Sequence, residues 1–317
     1  MLESPAVNRP SAVDLRVEIG SLHLANPIIA ASGTFGYGTE FASVTNLEAL
    51  GGIVVKGLSL EPMAGAPPPR MCEADSGMIN AIGLQNIGVR AFVSEKLPLL
   101  RKYSTPVIAN VFGQSQSEYL GVLRVLEEAE GIAAYELNVS CPNVEHGGIE
   151  FGGDEKSLAG LVRSARQVSR RPLWVKLSPL VTDIVGIARA AEEAGADALT
   201  VANTFPAMAV DFQTRRSRIG RISGGLSGPA IKPITLRLVY LVRRAVKIPV
   251  LGVGGIQSPA DVLEYMVAGA SAVQVGTASF SDPKACERLV KELQKTCVRS
   301  KVLTINKITG SLEEDLA

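Results

Sequence analysis

Eight short apolar runs, most of them followed by Gly, Ser or Asn and then by a helical pattern, constrain the fold of this chain most strongly. The runs are Pro27–Ala31, Gly52–Lys56, Pro106–Val111, Ala134–Val139, Leu173–Leu177, Ala198–Ala202, Pro249–Val253 and Ala272–Val275. The helical patterns are Ser115–Glu130, Glu155–Ser169, Asp183–Ala194, Ala230–Ala245, Pro259–Ala268 and Pro283–Val298. Near-continuous apolar runs are typical of parallel strands buried on both faces, so the alternation predicts repeated βαβ units.

Eight such units in 317 residues favour an α/β fold of the (β/α)8 TIM-barrel type. A doubly wound sheet is the main alternative, and it commonly carries G-x-G-x-x-G after an early strand. The nearest match here, Gly252–Gln257, comes late and lacks the final glycine. No linker divides the chain, so we expect one domain over residues 1–317, with 1–14 as an extended N-terminal segment.

The composition excludes several classes of protein. Lys and Arg total 32 against 31 Asp and Glu, and this net charge of +1 argues against a nucleic-acid-binding surface. No apolar run approaches the ~18 residues of a membrane span, and the first residues do not resemble a secretory signal. The four cysteines have no metal-ligand spacing, so we expect no metal site. A soluble, cytoplasmic protein is the expectation.

Polar residues stand at the carboxyl ends of the predicted strands, where barrel enzymes place their chemistry. Lys56 and Lys176 lie in otherwise apolar runs, and a buried ammonium is costly without an anion or acceptor. The pair therefore indicates an anionic ligand, although a core carboxylate such as Glu136 is the structural alternative. A second functional interpretation is a Schiff-base lysine of an aldolase or lyase.

Two glycine pairs follow the last two strands. Gly254-Gly255 precedes the helix that begins near Pro259, and Gly276-Thr277 follows the eighth run. Loops after strands seven and eight form the usual phosphate site of a barrel, but the glycines could equally serve tight turns. A third glycine-rich segment, Gly224–Pro229, is another candidate for close approach to a ligand, and the polar stretch Phe205–Ser227 is expected to be a functional loop.

Side-chain amides and one cysteine complete the strand-end set. The amides are Asn80, Asn110, Asn138, Asn143 and Asn203, and each can both donate and accept a hydrogen bond, as recognition of a heterocyclic ring requires. Cys141 lies in the polar loop after the fourth run, where a reactive thiol would be accessible. The other cysteines, Cys72, Cys286 and Cys297, are expected to be inert.

Three motifs make the chain similar to dihydroorotate dehydrogenases. They are Asn138–Asn143 (NVSCPN), Asn80–Asn86 (NAIGLQN) and Gly224–Pro229 (GGLSGP), and together with the two glycine pairs they occur in the order of that family. The resemblance extends from about Leu15 to Leu312. It implies a flavoprotein barrel that oxidises (S)-dihydroorotate to orotate with FMN, in the pyrimidine (UMP) biosynthesis pathway.

The resemblance also points to a subclass. The membrane-bound, quinone-using enzymes have serine as the base, whereas this chain has Cys141. The NAIGLQN motif and Val144–Gly148 (VEHGG) resemble the NAD-linked type, in which the FMN chain pairs with an electron-transfer subunit carrying FAD and a 2Fe-2S cluster. The resemblance implies a homodimeric core within a heterotetramer of two chains of each kind. A fumarate-reducing homodimer and a related pyrimidine reductase remain alternatives.

The family's site residues carry over position by position. The base is Cys141, which would remove the C5 proton while the C6 hydride passes to flavin N5, and the loop Pro142–Gly153 would close over the substrate. The FMN-contacting positions are Ser32, Lys56, Gly57, Asn110, Asn138, Lys176, Ala202, Gly228, Gly254, Gly255, Gly276 and Thr277. The substrate-contacting positions are Lys56, Asn80, Ala81, Ile82, Gly83, Leu84, Asn138, Asn143, Asn203 and Thr204. One departure is Ile87-Gly88, where the family usually has Pro-Gly.

Overall fold

The predicted strands form a closed parallel barrel. The structure, a computed structural model, describes residues 13–139 and 151–314, and all the assignments below concern those residues. The strands are β1 (Ile28–Ala30), β2 (Gly52–Val54), β3 (Val107–Val111), β4 (Ala134–Asn138), β5 (Leu173–Lys176), β6 (Ala198–Val201), β7 (Val250–Val253) and β8 (Ala272–Val275). Each strand pairs with the next along the chain, and β8 pairs with β1. The barrel prediction is therefore confirmed.

The strands are buried along their whole length because helices cover the outside of the barrel and side chains fill its interior. Trp174 and Tyr135 are fully buried beside aliphatic neighbours. Burial on both faces explains why these strands appear in the sequence as continuous rather than alternating apolar runs.

The helices are α1 (Val89–Ala91), α2 (Leu97–Leu100), α3 (Gln116–Glu127), α4 (Glu155–Val168), α5 (Ile184–Glu193), α6 (Lys232–Ala245), α7 (Pro259–Val267), α8 (Ala278–Ser281) and α9 (Ala285–Arg299). A π-helical turn, Phe92–Lys96, joins α1 to α2, and 3-10 turns occur at Thr39–Phe41, Leu47–Ala49, Pro229–Ile231 and Ile305–Ile308. The six helical patterns of the sequence correspond to α3–α7 and α9. The α1–α2 segment lacks a clear pattern because it is short and contains a proline.

The ends of α7 illustrate how the sequence fixes a local boundary. The Ser258 hydroxyl accepts a hydrogen bond from the Asp261 backbone N–H, and the Asp261 carboxylate accepts one from the Ser258 N–H in return. This capping box satisfies backbone donors at the start of the helix. Gly269 follows the helix with φ of +118°, a conformation that glycine adopts readily. The helix therefore starts at a defined point just beyond the Gly254-Gly255 turn.

A small antiparallel sheet, here called the cap sheet, lies over one end of the barrel. Its strands, in spatial order, are Phe205–Ala207, Gly224–Ser227, Gly77–Asn80 and Met71–Ala74. The expectation that Phe205–Ser227 is a loop was therefore wrong in part. The segment forms two cap-sheet strands and the short pair Val210–Asp211 and Arg216–Ser217. These strands are stabilised by pairing between distant parts of the chain, so no local pattern marks them.

The remaining strands lie before the barrel, as the hairpin Val17–Ile19 and Leu22–Leu24. None of the helices in the described residues combines the length and the apolar character that crossing a bilayer requires.

Candidate active site

A cavity of about 560 Å³ lies at the carboxyl ends of the barrel strands, bordered by the cap sheet. Residues at the ends of all eight barrel strands line it, among them Ser32 after β1, Asn138 in β4 and Gly276 after β8. The cap sheet contributes Asn80 and Gly225. This is the volume and position expected for a small-molecule site in a (β/α)8 barrel.

The Gly254-Gly255 turn is shaped by the two helices packed behind it. Gly254 has φ of +145° and Gly255 has φ of +69°, both in the region that favours glycine. The buried Tyr265 hydroxyl of α7 donates a hydrogen bond to the Gly254 carbonyl over 2.8 Å, and it also bonds to the Thr235 hydroxyl of α6. Because the carbonyl is held by Tyr265 in this way, the backbone of the turn is fixed where it lines the cavity.

Two further glycines, Gly276 and Gly228, expose backbone rather than side chains to the cavity. The atoms nearest to a Cβ on Gly276 would belong to Thr34 and Ala31, at 3.5 and 3.6 Å, and both of these residues also line the cavity. Thr277 donates a hydrogen bond to the Ser227 hydroxyl over 2.8 Å, which ties the loop after β8 to the cap sheet. Gly228, which has φ of +98°, lines the cavity directly after this cap-sheet strand. These backbones can approach a ligand closely, as a phosphate requires.

Lys176 lies at the end of β5 and lines the cavity. The Lys176 Nζ lies 3.4 Å from the Ser32 hydroxyl, and the residue is 6% exposed. Burial lowers the pKa of Lys176, and the negative charge of Glu136 opposes that shift. The hydrogen bonds that Glu136 accepts come from other side chains, so the direct pairing of a lysine with Glu136 is not what the described residues show.

Glu136 is fully buried in β4 and accepts hydrogen bonds from three other strands. Its Oε1 accepts from Asn110 Nδ2 over 2.8 Å, and its Oε2 accepts from Thr200 Oγ1 over 2.8 Å. Gln274 Nε2 donates to the same Oε2 over 2.5 Å. A buried carboxylate needs several donors to offset its lost hydration, and these residues supply them.

The second lysine has a different environment. Lys56 follows β2, is half-buried and lines the cavity. Burial and the nearby Arg70 guanidinium lower the pKa of Lys56, while Glu40 opposes them. A cation in this position can meet an anionic group of a ligand.

The segment Asn80–Gln85 forms the cavity wall beneath the cap sheet. Gly83 and Leu84 have φ of +70° and +57°, and a Cβ on Gly83 would lie 2.4 Å from the Ala66 backbone nitrogen. Arg70 holds this wall in place, since its guanidinium donates to the Gln85 side chain over 2.6 Å and to the Ala66 carbonyl over 2.6 Å. The wall is thus a preformed backbone surface.

The amides at the ends of β4 and β6 meet across the cavity. Asn203 Nδ2 donates to Asn138 Oδ1 over 3.5 Å, and the Thr204 N–H donates to Asn203 Oδ1 over 2.8 Å. The Tyr119 hydroxyl of α3 donates to the Asn138 carbonyl over 2.7 Å, which fixes the end of β4. The pair presents both donors and acceptors to a ligand.

The structure brings together the residues that the sequence selected. The predicted FMN positions that line the cavity are Ser32, Lys56, Gly57, Asn110, Asn138, Lys176, Ala202, Gly228, Gly254, Gly255, Gly276 and Thr277. The predicted substrate positions that line it are Lys56, Asn80, Ala81, Ile82, Gly83, Leu84, Asn138, Asn203 and Thr204. Cys141 and Asn143 lie outside the described residues, as does most of the Pro142–Gly153 loop. The individual roles remain predictions.

Sequence reasoning missed two supporting features. Thr200 and Gln274 are polar residues in the middle of otherwise apolar strands, and that contrast could have indicated the buried network around Glu136.

The departure from the family at Ile87 has a structural consequence. The Ile87 N–H donates to the Tyr37 hydroxyl over 3.0 Å, and a proline has no N–H to make this bond.

The fold and the cavity define a (β/α)8-barrel enzyme whose site suits an anionic, heterocyclic ligand. The family model for dihydroorotate dehydrogenase matches residues 14–297. The chain belongs to the dihydroorotate dehydrogenase family, and it is therefore an oxidoreductase.

Curated relatives agree on the family and differ in subclass. A Solibacter usitatus protein, provisionally named dihydroorotate dehydrogenase A (fumarate), is 56% identical over 94% of this chain and 98% of its own length. The dihydroorotate dehydrogenase B (NAD(+)) catalytic subunits of Geobacter sulfurreducens and Geobacter metallireducens are 52% and 50% identical, each over 95% of this chain and 98% of its own length. A solved DHODH structure from Eimeria tenella, in complex with ferulenol, has a TM-score of 0.80 over 98% of this chain and 91% of that one, at 20% identity, which supports the fold alone.

Proposed function

We propose that this protein oxidises (S)-dihydroorotate to orotate with FMN, as the catalytic subunit of an NAD-linked dihydroorotate dehydrogenase. The observation that carries the proposal is the cavity in which the described FMN and substrate positions of the family meet. Membership of the family supports the reaction, and the B (NAD(+)) relatives support the subclass.

The residues present fit FMN. The glycines around Gly255 and Gly276 leave a backbone cradle for a phosphate, and Lys176 offers a cation to an electron-rich ring. The buried Asn110 Oδ1 has no hydrogen-bond partner among the described residues, so it is available to a donor of the ring. When bound, FMN supplies a hydride acceptor.

The chain's own groups would bind and orient the substrate. Lys56 and the backbone N–H groups of the Asn80–Gln85 wall suit a carboxylate, while Asn138 and Asn203 suit the ring amides. Removal of the substrate proton is the proposed role of Cys141, whose ordinary pKa of about 8.5 is suited to a base at mildly alkaline pH.

The acceptor and the partner are also proposed from the relatives. The designation of a catalytic subunit implies a separate electron-transfer subunit, and we propose that this partner carries FAD and a 2Fe-2S cluster and passes electrons to NAD. We propose a homodimeric core that binds two such partners. The Solibacter relative keeps the fumarate type as the second candidate.

Anaerobic mixing tests both levels of the proposal. The purified protein should contain flavin, and dihydroorotate should bleach its absorbance. NAD should restore the colour only when the electron-transfer subunit is added, and fumarate should not. A protein that binds no flavin would overturn the reaction, whereas reoxidation by fumarate without a partner would overturn the subclass alone.

A cysteine pair tests the proposed base. Cys141→Ser should slow flavin reduction by dihydroorotate by about 100-fold or more near neutral pH, because the serine hydroxyl ionises much less readily. Cys72→Ser is the matched control, since Cys72 is half-buried in the cap sheet and does not line the cavity. An equal rate in the two variants would refute the assignment of Cys141.

The Schiff-base interpretation makes a separate prediction. A lyase using Lys56 or Lys176 would be trapped by borohydride in the presence of its substrate. We expect no trapped adduct on either lysine with dihydroorotate, because the family to which the chain belongs is an oxidoreductase family.

A further inference from the structure

We propose that Glu136, which does not line the cavity itself, is a positioning residue that makes the site select a ring with a free imide N–H. It does so by fixing the orientation of the Asn110 amide. The inference rests on the proposed FMN function and deepens it, since it assigns a specificity role to a buried residue of the barrel interior.

The orientation of Asn110 follows from the chemistry of its neighbour. The Asn110 group that faces Glu136 is the donor Nδ2, which bonds over 2.8 Å to Oε1, an oxygen that accepts. The other end of the amide, Oδ1, is consequently turned away from Glu136. Asn110 is fully buried, and its Oδ1 has no partner among the described residues.

The unpartnered oxygen belongs to a residue that lines the cavity. A Cβ on Gly57, which also lines the cavity, would lie 2.9 Å from Asn110 Oδ1, so a residue with a side chain at this position would crowd the oxygen. Gln274 Oε1 is likewise buried without a partner in the described part of the chain, but Gln274 does not line the cavity. Asn110 is therefore the residue of this network that offers an acceptor to a ligand.

Glu136 is itself held so that it cannot turn away. Thr200 and Gln274 donate to its Oε2, which leaves Oε1 directed at Asn110. The three donors come from β3, β6 and β8, so the closed barrel determines the position of the carboxylate. A neutral glutamine at position 136 could donate as well as accept, and the Asn110 amide would no longer have one required orientation.

The chemistry of the ring identifies the group that Asn110 Oδ1 would meet. The oxidised isoalloxazine ring of FMN has a single N–H, the imide at N3, and its other polar ring atoms are acceptors. A buried acceptor without a partner therefore favours binding of a ring that carries the imide N–H over one that lacks it, because an unmade buried hydrogen bond costs about 1–3 kcal/mol.

The test compares FMN with N3-methyl-FMN. The full-length protein, freed of flavin, is titrated with each compound, and binding is followed by flavin fluorescence. The wild type should prefer FMN by roughly 10- to 100-fold, the equivalent of about 1–3 kcal/mol. In Glu136→Gln the affinity for FMN should fall and the preference over N3-methyl-FMN should shrink several-fold.

Two further variants separate positioning from other effects. Gly57→Ala keeps the carboxylate but crowds the Asn110 oxygen, so the preference should shrink there too, even if Glu136→Gln fails to fold. Thr200→Val removes one of the two donors to Glu136 Oε2 and leaves Gln274 as the other, so stability should fall and the preference should persist.

The outcomes separate the positioning role of Glu136 from the proposed function. If Glu136→Gln weakens both flavins equally, the carboxylate acts only through its charge or through stability, and the proposal is overturned. An unchanged preference in Gly57→Ala overturns it as well. A wild-type protein that binds neither flavin would instead contradict the proposed function.

Discussion

The Gly254-Gly255 turn, which we propose approaches the FMN phosphate, can be tested quantitatively at Gly255. Gly255 has φ of +69°, and a Cβ there would lie 2.8 Å from the Gly228 carbonyl oxygen, 2.8 Å from Lys232 Cβ and 3.1 Å from Pro229 Cα. Gly255→Ala should cost about 1–2 kcal/mol for the left-handed conformation. Displacing the crowded neighbours should add about 1–3 kcal/mol. The free energy of unfolding should therefore fall by about 2–5 kcal/mol.

The same substitution should weaken FMN binding, because Gly228 and Gly255 both line the cavity and the backbone must move to admit the methyl group. Thermal unfolding without flavin measures the stability, with an expected fall in Tm of roughly 4–10 °C. A flavin titration measures the affinity, and the loss of one charge-assisted hydrogen bond would reduce it by roughly 10-fold or more.

Gly160→Ala is the matched control. Gly160 lies within α4, and a Cβ there would meet nothing within 4 Å. Alanine should stabilise this helix by up to about 1 kcal/mol and leave FMN affinity unchanged. The reasoning is refuted if Gly255→Ala matches the wild type in both Tm and FMN affinity, or if the two alanine variants change stability alike.

Four other predictions follow from the same structure. Gly276→Ala should leave Tm unchanged but lower FMN affinity in the flavin titration, because the nearest neighbours of its methyl group are cavity-lining residues at ordinary distances. A fall in Tm would contradict this. Tyr265→Phe should weaken FMN binding by roughly 10-fold, since the Gly254 carbonyl loses its donor. Unchanged affinity would show that the conformation of the turn does not depend on this hydrogen bond. Hydrogen bonds from backbone and side chains hold the pKa of Glu287 at about 2, so the stabilisation by its carboxylate is present above the pKa of the unfolded chain and is lost as the pH falls toward 2. Glu287→Gln should therefore lower Tm at pH 7 and progressively less between pH 5 and pH 2. A difference in Tm that stays constant with pH would argue against a role of the charge. Burial raises the pKa of Cys286 to about 12, so iodoacetamide at pH 8 should label it only after unfolding, as mass spectrometry can verify.

The local boundaries and the barrel strands were the parts most open to prediction. Strands such as β4 and β6 are buried on both faces, so their sequences are apolar throughout and stand out without any knowledge of their partners. The start of α7 is equally local, because Ser258 and Asp261 satisfy each other's backbone groups within four residues. Barrel geometry then gathers the ends of all eight strands, which is why residues chosen from the sequence meet in one cavity.

The cap sheet could not be predicted in the same way. The strand Gly224–Ser227 pairs with Gly77–Asn80 across roughly 145 residues, and its glycines and serine have little strand propensity of their own. Its pairing is favoured by neighbours that only the folded chain supplies, including the small apolar cluster of Ile79, Ala81 and Ile219. A polar segment of this kind resembles a loop until its partner strand is known.

The sequence by itself determined the barrel, the strand-end lysines, the amides and the glycine turns, because each depends on a local pattern or on the rule that barrel strand ends meet. Only the tertiary structure decided which polar groups touch. Asn110 and Glu136 are 26 residues apart, and Gln274 lies 138 residues beyond Glu136. Hydrogen bonds act over about 3 Å, so the closed barrel, and not the order of residues, turns these side chains into one network.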